Sequence, residues 1–477
     1  MKSCKNILLS GLLICTGLSC EEPLQEEIFS ELSPSTLFTS ESGLESLLNA
    51  SYAYGHRSGL VESWAPFYMA GMPTGETYGL GGSIESLWTD LTNFTWNANH
   101  DHFLAMWTVY YNCIRDANIV LDNLDNDAFS QEFRDRTTAE VHFLRGWAYG
   151  ELYNLFGAVP LYRSSTDDPL QPRASDADTR AFIVGELQAA IAGLPVEPTE
   201  YGRASRGAAM GVLTKFYLNT REWQAAADQA KALMELGEYG LVEDYEDVFA
   251  IANEGNPEMV WALPKSSIST TSSQAVDALL FPPDYPRPYP NNLVFAARTY
   301  LYDEFVNSFA EGDERRRMIV TEYVSTASGE TVVGLGNDQS FPYKFEFDPN
   351  SVQFYAGNDI PAIRYADILL SRAEALNELS GPTAEAIDLI NQVRSRAGVG
   401  ELELEGFDKD SFRDAILQER GWEFWFEMKR REDLLRHDRY IPHARERGKT
   451  AENFHRLFPI PQVEIDANEL LEQNTGY

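Results

Sequence analysis

Three glutamates near the carboxyl-terminal end of the chain have a spacing that could support acid–base chemistry. Glu419, Glu423 and Glu427 are four residues apart, so a helix would place them on one face. Paired carboxylates can act as general acid and base in glycoside hydrolysis when they lie about 5–10 Å apart across a cleft. Carboxylates stacked on one helix seldom lie on both sides of a substrate. We therefore interpret them as a structural ion-pair network, with partners among Arg420, Arg430, Arg431 and Arg436.

A metal site and a catalytic nucleophile are two further possibilities for chemistry. His100-Asp101-His102 brings possible ligands together, but the chain has seven histidines and none in an H-E-x-x-H or Cys/His pattern. We predict no metal, and Asp101 as the N-cap of a helix. Cys113 lies among apolar helical residues, which indicates a buried, inert thiol. The sequence contains no G-x-S-x-G and no P-loop, so we expect no catalytic residues and no cofactor.

Aromatic side chains in irregular segments are the better candidates for function. Sugar rings have flat C–H faces that lie against aromatic rings, and sugar hydroxyls need amide or charged partners. Glycine and proline shape these loops, which lowers the cost of ordering them on binding. The alternative for any one aromatic is that it packs inward. We predict ligand contacts from Tyr78, Trp88, Trp96, Asn97, Asn99, Tyr285, Tyr289 and Asn291.

The overall charge limits the possible partners. The chain has 38 basic and 73 acidic residues among 477, a formal net charge of −35. Nucleic acids and anionic lipid surfaces both require basic patches. We therefore expect no nucleic-acid partner.

The amino-terminal segment is predicted to direct export. Lys2 and Lys5 precede an apolar stretch, residues 7–18, that is too short for a comfortable membrane span. Small residues then precede Cys20, as in the lipobox of bacterial lipoproteins, although Gly17 stands where leucine is more usual. We predict a signal peptide at 1–19, lipidation at Cys20, and an acidic tether with a first segment at 20–45.

A buried helix organises the first half of the chain. Residues 139–162 place apolar side chains at spacings of three and four and add aromatic residues on the other faces. Gly146 and Gly150 are small enough for a neighbouring helix to approach closely. Gly157 provides a left-handed terminus and Pro160 prevents continuation, so the helix should end there.

Two helix hairpins resemble tetratricopeptide repeats. Residues 204–237 form two predicted helices around the turn at 219–222, within 34 residues, which is the tetratricopeptide period. Residues 363–398 repeat the pattern around Ser380-Gly381-Pro382. We expect helix pairs over about 103–250 and 361–440.

The remaining regions lack helical periodicity. Glycines interrupt residues 61–102, and residues 281–292 contain five prolines in twelve positions. Short strands are predicted at 331–336 and 352–357. We expect irregular ligand-face regions at about 61–102 and 251–360 within one domain, 46–477.

The order of these motifs resembles the SusD/RagB family of Bacteroidetes surface lipoproteins. The motifs, in chain order, are WTVYYNCIRDAN at 107–118, AE-x2-FLR-x3-Y-x2-L-x3-FG-x-VPL at 139–161, GRAS at 202–205, IRYADILLSRAEALN at 363–377, LQERGWEFWFEMKRREDLLR at 417–436, and the ending FPIPQVEI…QNTGY. The resemblance covers essentially the whole mature chain.

This resemblance implies an all-α scaffold of tetratricopeptide-like helix pairs with large irregular loop regions that form a ligand face. It also implies a lipid-anchored surface protein that captures oligosaccharides and passes them to a SusC-like TonB-dependent outer-membrane barrel. Two alternatives stay open: a peptide-capture lipoprotein of the same uptake type, and a glycoside hydrolase based on the three carboxylates.

Overall fold

The computed structural model describes residues 37–57, 60–268 and 273–477. The predicted signal peptide, the lipidation site Cys20 and most of the predicted tether lie outside the described residues. Within the described ranges, no helix is both long enough and apolar enough to cross a membrane.

Helices dominate the described structure, as predicted. They are α1 (Glu41–Gly55), α2 (Leu60–Gly71), α3 (Glu85–Asn93), α4 (Asp101–Asp122), α5 (Gln131–Phe156), α6 (Asp176–Gly193), α7 (Arg206–Asn219), α8 (Trp223–Met234), α9 (Asp303–Val306), α10 (Tyr365–Ser380), α11 (Ala384–Arg396), α12 (Lys409–Glu423), α13 (Arg430–Arg436), α14 (Tyr440–Glu446) and α15 (Gln462–Ala467).

The long helices stack in chain order. Helix α1 packs on α4, each helix from α4 to α8 packs on the next, and α8 packs on α10, which contacts α11 and α12. Close approach explains Gly146 in α5: a Cβ there would lie 2.8 Å from Leu187 Cγ of α6. Helix α5 ends at Phe156, and the residue that follows it, Gly157, has a φ of 76° that is accessible mainly to glycine. The helical repeat scaffold predicted from the hairpins is confirmed.

Short strands occupy the connections between helices. They form antiparallel pairs β1 (Thr77–Leu80) with β3 (Arg298–Leu301), β2 (Met259–Leu263) with β8 (Ile360–Arg364), β4 (Ile319–Val320) with β7 (Phe341–Pro342), and β5 (Glu322–Val324) with β6 (Thr331–Val333). The β1–β3 ribbon joins the two regions predicted to form the ligand face, although they are far apart in sequence.

Three local predictions need correction. Residues 61–102 are not mainly irregular, because α2, α3 and β1 lie there. The predicted strand at 352–357 is reduced to isolated bridges, of Val352 with Tyr355 and of Ala356 with Gln274. The region of predicted helix pairs at 361–440 is interrupted between α12 and α13. Its break includes Phe426, at a φ of 55°, where burial of aromatic side chains outweighs helix continuity.

Candidate functional site

The three glutamates form a buried ion-pair network. Glu419 accepts from Arg315 at 2.6 Å and from Arg394 at 2.7 Å. Glu423 accepts from Arg364 at 2.9 Å and Arg396 at 2.5 Å, and Glu427 accepts from Arg364 at 2.7 Å and Lys344 at 2.5 Å. The side chains of all three are fully buried.

The charges of this network favour the ionised forms of Glu423 and Glu427. Burial alone would raise the pKa of Glu423, but the charges of Arg396, Arg364 and Arg315 outweigh it and hold that pKa below its usual range. The structural interpretation is confirmed, but the predicted partners are wrong. Arg420 and Arg436 pair instead with Asp367, Glu374 and Asp433.

The histidine and cysteine candidates have structural positions. His100, not the predicted Asp101, is the N-cap of α4, and its ring accepts from the backbone N–H of His102. Cys113 is fully buried, and burial raises the pKa of its thiol to about 12. No group of three or more His, Cys, Asp or Glu side chains suited to a metal ion occurs in the described ranges.

The two tryptophans predicted to contact a ligand lie in the core. Trp88 is 0% exposed and packs under β1, 4.7 Å from the ring of Tyr68. Trp96 is 5% exposed, and its Nε1 donates to the Tyr477 hydroxyl at 2.9 Å. Phe94, the residue after helix α3, has the left-handed conformation, which turns the chain so that Trp96 points inward. Neither tryptophan presents surface to a ligand.

The predicted asparagines shape local backbone. Asn97 and Asn99 are exposed, and Asn97 Oδ1 accepts from the backbone N–H of Asn99 at 2.9 Å in the turn before α4. Asn291 is half-buried, and its Nδ2 donates to the carbonyl oxygen of Ser351 at 2.6 Å. The side chains of Asn97 and Asn99 remain exposed to solvent. The amide of Asn291 is instead hydrogen-bonded to the backbone.

Tyr78 belongs to a half-buried aromatic group on the β1–β3 ribbon. It is paired in register with Tyr300, with ring centroids 5.6 Å apart, and its ring lies 4.8 Å from that of Tyr302. Its hydroxyl donates to the carbonyl oxygen of Asp338 at 2.5 Å. Burial raises the pKa of Tyr78, so the hydroxyl stays protonated and able to donate.

A second group surrounds the proline-rich loop. Tyr285 is half-buried, 5.4 Å from the ring of Tyr323 and stacked 5.1 Å from Phe281. Tyr289 remains 37% exposed. The Tyr323 hydroxyl donates to Asp284 Oδ1 at 3.0 Å. Tyr285 therefore anchors the loop with one face and leaves part of its ring open.

The two groups adjoin each other. Leu301 of β3 donates its backbone N–H to the carbonyl oxygen of Ser340 at 2.7 Å. The ring of the next residue, Phe341, lies 5.3 Å from that of Tyr285 and 5.8 Å from that of Tyr323, centroid to centroid. We call the combined surface the tyrosine face: Tyr78, Tyr285, Tyr289, Tyr300, Tyr302 and Tyr323. Sequence reasoning missed Tyr300, Tyr302 and Tyr323. Tyrosines two residues apart at the end of a strand share one of its faces, a signal that could have identified the first two.

Polar groups flank the tyrosine face. The guanidinium of Arg447 lies 4.8 Å from the Tyr302 ring centroid, and its Nη1 is buried without a hydrogen-bond partner in the described structure. Arg298 Nη1 donates to the carbonyl oxygen of Ala296 at 3.0 Å. Neither arginine has an ion pair with a described carboxylate. Half-buried aromatic rings beside arginine side chains suit a polar ligand with flat apolar faces.

Comparison with known proteins identifies the family. Residues 43–218 match the family described as starch-binding associating with outer membrane, and residues 341–477 match the SusD family. SusD-like protein P25 of Formosa agariphila is 30% identical over 542 aligned positions, covering 99% of each chain. The chain therefore belongs to the SusD family, as its motifs predicted.

More distant relatives share the fold. Starch-binding protein SusD of Bacteroides thetaiotaomicron is 23% identical over 81% of each chain. A solved laminarin-binding SusD-like protein is 25% identical, with a TM-score of 0.79 over 92% of this chain and 100% of that one. Surface glycan-binding protein A from Bacteroides thetaiotaomicron, solved with laminarihexaose, is 21% identical, with a TM-score of 0.78 over 91% and 99% of the two chains.

Proposed function

We propose that this protein is a non-catalytic, lipid-anchored receptor on the cell surface that captures oligosaccharides on the tyrosine face. The observation that carries the proposal is the half-buried row of Tyr302, Tyr78 and Tyr300 on and directly after the paired strands β1 and β3. Two arginines without an ion pair among the described residues flank this row. Relatives named for binding starch and laminarin support a glycan as the ligand. Affinity at such a shallow site is on the order of millimolar to micromolar, about −4 to −8 kcal/mol.

The site proposed here differs from the one predicted from sequence. Tyr78, Tyr285 and Tyr289 remain in it, Tyr300, Tyr302 and Tyr323 join it, and the buried Trp88 and Trp96 leave it. Asn97 and Asn99 are not connected to it by any contact in the described structure, and Asn291 supports its loop.

A glycan array beside a peptide library tests the ligand class. The wild type should be retained by a glycan, and Tyr78→Ala/Tyr302→Ala should lose that retention. Tyr201→Ala is the matched control, because Tyr201 is a tyrosine with 49% exposure whose hydroxyl bonds Asp359, outside the tyrosine face. Retention by peptides alone would instead favour the peptide-capture alternative.

Catalysis is not part of this proposal. Glu419, Glu423 and Glu427 are enclosed by arginine and lysine side chains, and a buried ion pair has no open position for a sugar. Incubation with a glycan panel should release no reducing ends. Release that is lost in Glu423→Gln would make the chain a glycoside hydrolase.

Membrane anchoring and hand-over complete the proposed function. Cys20 would carry the lipid, and the acidic residues after it would direct the protein to the outer face of the outer membrane. Labelling of intact cells should detect the wild type at the surface, and Cys20→Ala should be released from the membrane fraction. A TonB-dependent barrel should co-purify with the wild type, and its absence would contradict the proposed hand-over.

A further inference from the structure

A cavity of about 1090 Å³ lies between the helical stack and the carboxyl-terminal part of the chain. Its inner end is formed by Trp147 and Trp261, which are 4% and 3% exposed. Asp176, Arg221 and Arg456 lie at its other end with side chains at least 41% exposed, so the cavity opens to solvent there. The tyrosine face does not contribute to its lining, so the cavity is a separate site.

Most charged side chains that line this cavity are neutralised locally. Their ion pairs are Lys215 with Glu432, Lys429 with Asp367, Arg436 with Glu374, Arg221 and Arg456 with Asp438, Asp176 with Arg180, Glu427 with Arg364, and Glu452 with Arg445. Three lining arginines, Arg57, Arg173 and Arg431, have no carboxylate partner among the described residues. Glu151 is the lining carboxylate without a described cation partner. The unpaired charge is therefore positive, although the chain carries −35.

Arg57 is the most unusual of these arginines. Its side chain is buried at 4% exposure, its backbone is left-handed with a φ of 56°, and its Nε has no hydrogen-bond partner in the described structure. Its Nη1 contacts Met428 Sδ at 3.4 Å, and the guanidinium lies 5.7 Å from the ring of Trp147. A buried guanidinium that contacts a thioether and an indole keeps most of its donors for another group.

A second basic side chain, that of Lys265, contacts the backbone of Arg57. Lys265 Nζ donates to the carbonyl oxygens of His56 at 2.6 Å and of Arg57 at 3.3 Å, which helps to hold this left-handed turn. Burial, and then the charge of Arg57, lower the pKa of Lys265 to about 7. Lys265 therefore cannot offset the charge of Arg57.

Arg431 also lines the cavity and has no carboxylate partner among the described residues. It is 3% exposed, its Nη atoms donate to the carbonyl oxygens of Asn154 at 3.2 Å and Arg456 at 2.6 Å, and its Nε is unsatisfied in the described structure. Its guanidinium lies 4.3 Å from the ring of Phe458. Backbone carbonyls orient this guanidinium without neutralising its charge.

We propose that this cavity binds a small ligand bearing a carboxylate or sulfate group, with Arg57 as the principal anchor. Burying a charge without a counter-ion is unfavourable, and an anion in the cavity would supply the missing charge. A guanidinium group can also donate two parallel hydrogen bonds to two oxygens of such an oxyanion. The cavity volume accommodates a ligand of the size of a few sugar rings.

The test uses the full chain with Tyr78→Ala/Tyr302→Ala, so that binding at the tyrosine face does not contribute. D-glucuronate, glucose 6-sulfate and neutral glucose are titrated in parallel, with binding followed by calorimetry and ligand-observed NMR. At least one anion should bind, and glucose should bind at least about tenfold more weakly, because it lacks the charge-assisted hydrogen bonds. Comparison of the affinities for D-glucuronate and glucose 6-sulfate identifies whether a carboxylate or a sulfate is preferred. Equal binding of all three, or no binding of either anion, overturns the proposal.

Two substitutions that change the charge of the cavity wall in opposite directions test where the anion binds. Arg57→Gln should weaken anion binding about tenfold or more, through the loss of a charge-assisted contact. Glu151→Gln should strengthen it, because it removes the unpaired carboxylate from the wall. This second variant keeps the test valid if Arg57→Gln does not fold, as judged by circular dichroism. Arg317→Gln is the control, since Arg317 is 58% exposed and pairs with Glu314 outside the cavity. An unchanged affinity in Glu151→Gln places the anion elsewhere.

Discussion

The rings of Tyr78 and Tyr302 lie 4.8 Å apart, centroid to centroid, at an interplanar angle of 36°. The Tyr78 hydroxyl is held by the carbonyl of Asp338, and the guanidinium of Arg447 lies beside Tyr302. Asp338 is itself bonded reciprocally to Asp303, at 2.7 and 3.1 Å. The two rings are therefore oriented before any ligand arrives, which reduces the ordering cost of binding.

The hydroxyl and the ring of Tyr78 should contribute separately to glycan affinity. Tyr78→Phe keeps the ring but loses the bond to Asp338, which is worth about 0.5–1.5 kcal/mol, so affinity should fall a few-fold. Tyr78→Ala should remove measurable binding. Calorimetry with the glycan selected on the array measures both. If the Phe and Ala variants bind as the wild type does, Tyr78 is not part of the site.

The strand that carries Tyr78 depends on a glycine. A Cβ at Gly79 would lie 1.9 Å from Trp88 Cε3, so the backbone of β1 rests directly on the buried indole. Gly79→Ala should destabilise the fold by about 1–3 kcal/mol, the usual range for overpacking. Denaturant titration measures this loss. Gly240→Ala is the control, because nothing lies within 4 Å of a Cβ at that position, and an equal loss there would contradict the packing argument.

The buried ion-pair network should be sensitive to the loss of one partner. Arg364 is fully buried and pairs with Glu258, Glu423 and Glu427. Arg364→Met leaves these carboxylates without that charge, which typically costs about 3–5 kcal/mol. Arg317→Met, at an exposed ion pair, should cost at most about 1 kcal/mol. Similar denaturation midpoints for the two variants would rule out a structural role for the network.

Glu76 should make stability depend on pH. It is 4% exposed, and burial raises its pKa from 4.5 to about 8, against the opposing charges of Arg430 and Lys344. Between pH 4.5 and 8 the folded state binds this proton more tightly than the unfolded state, so the contribution of Glu76 to stability falls as pH rises. Glu76→Gln removes the titration.

Melting temperatures of the Glu76→Gln variant and the wild type, measured across this pH range, check the prediction. The melting temperature of the variant should rise relative to that of the wild type as the pH increases. A difference that is independent of pH would show that Glu76 is already ionised in the folded state.

Local patterns in the sequence were sufficient for the helical framework. The apolar periodicity of α5, its end at Gly157 and the hairpins α7–α8 and α10–α11 all occur as predicted. Helix hairpins are encoded by residues close in sequence, through spacing, small residues at contacts and terminating glycines. The burial of Cys113 and the structural role of Glu419, Glu423 and Glu427 were also accessible from helical context.

Only the tertiary structure decided which aromatic side chains reach solvent. Trp88 and Tyr78 both follow glycine-rich sequence, yet one lies beneath β1 and the other on its outer surface. That outcome depends on the pairing of Tyr78 with Tyr300, which are 222 positions apart in the numbering (300 − 78). The partners of Glu423, including Arg364 and Arg396, and the unpaired charge of Arg57 likewise arise from contacts between distant segments. Periodicity indicates that a residue packs against something, but long-range pairing determines what that partner is.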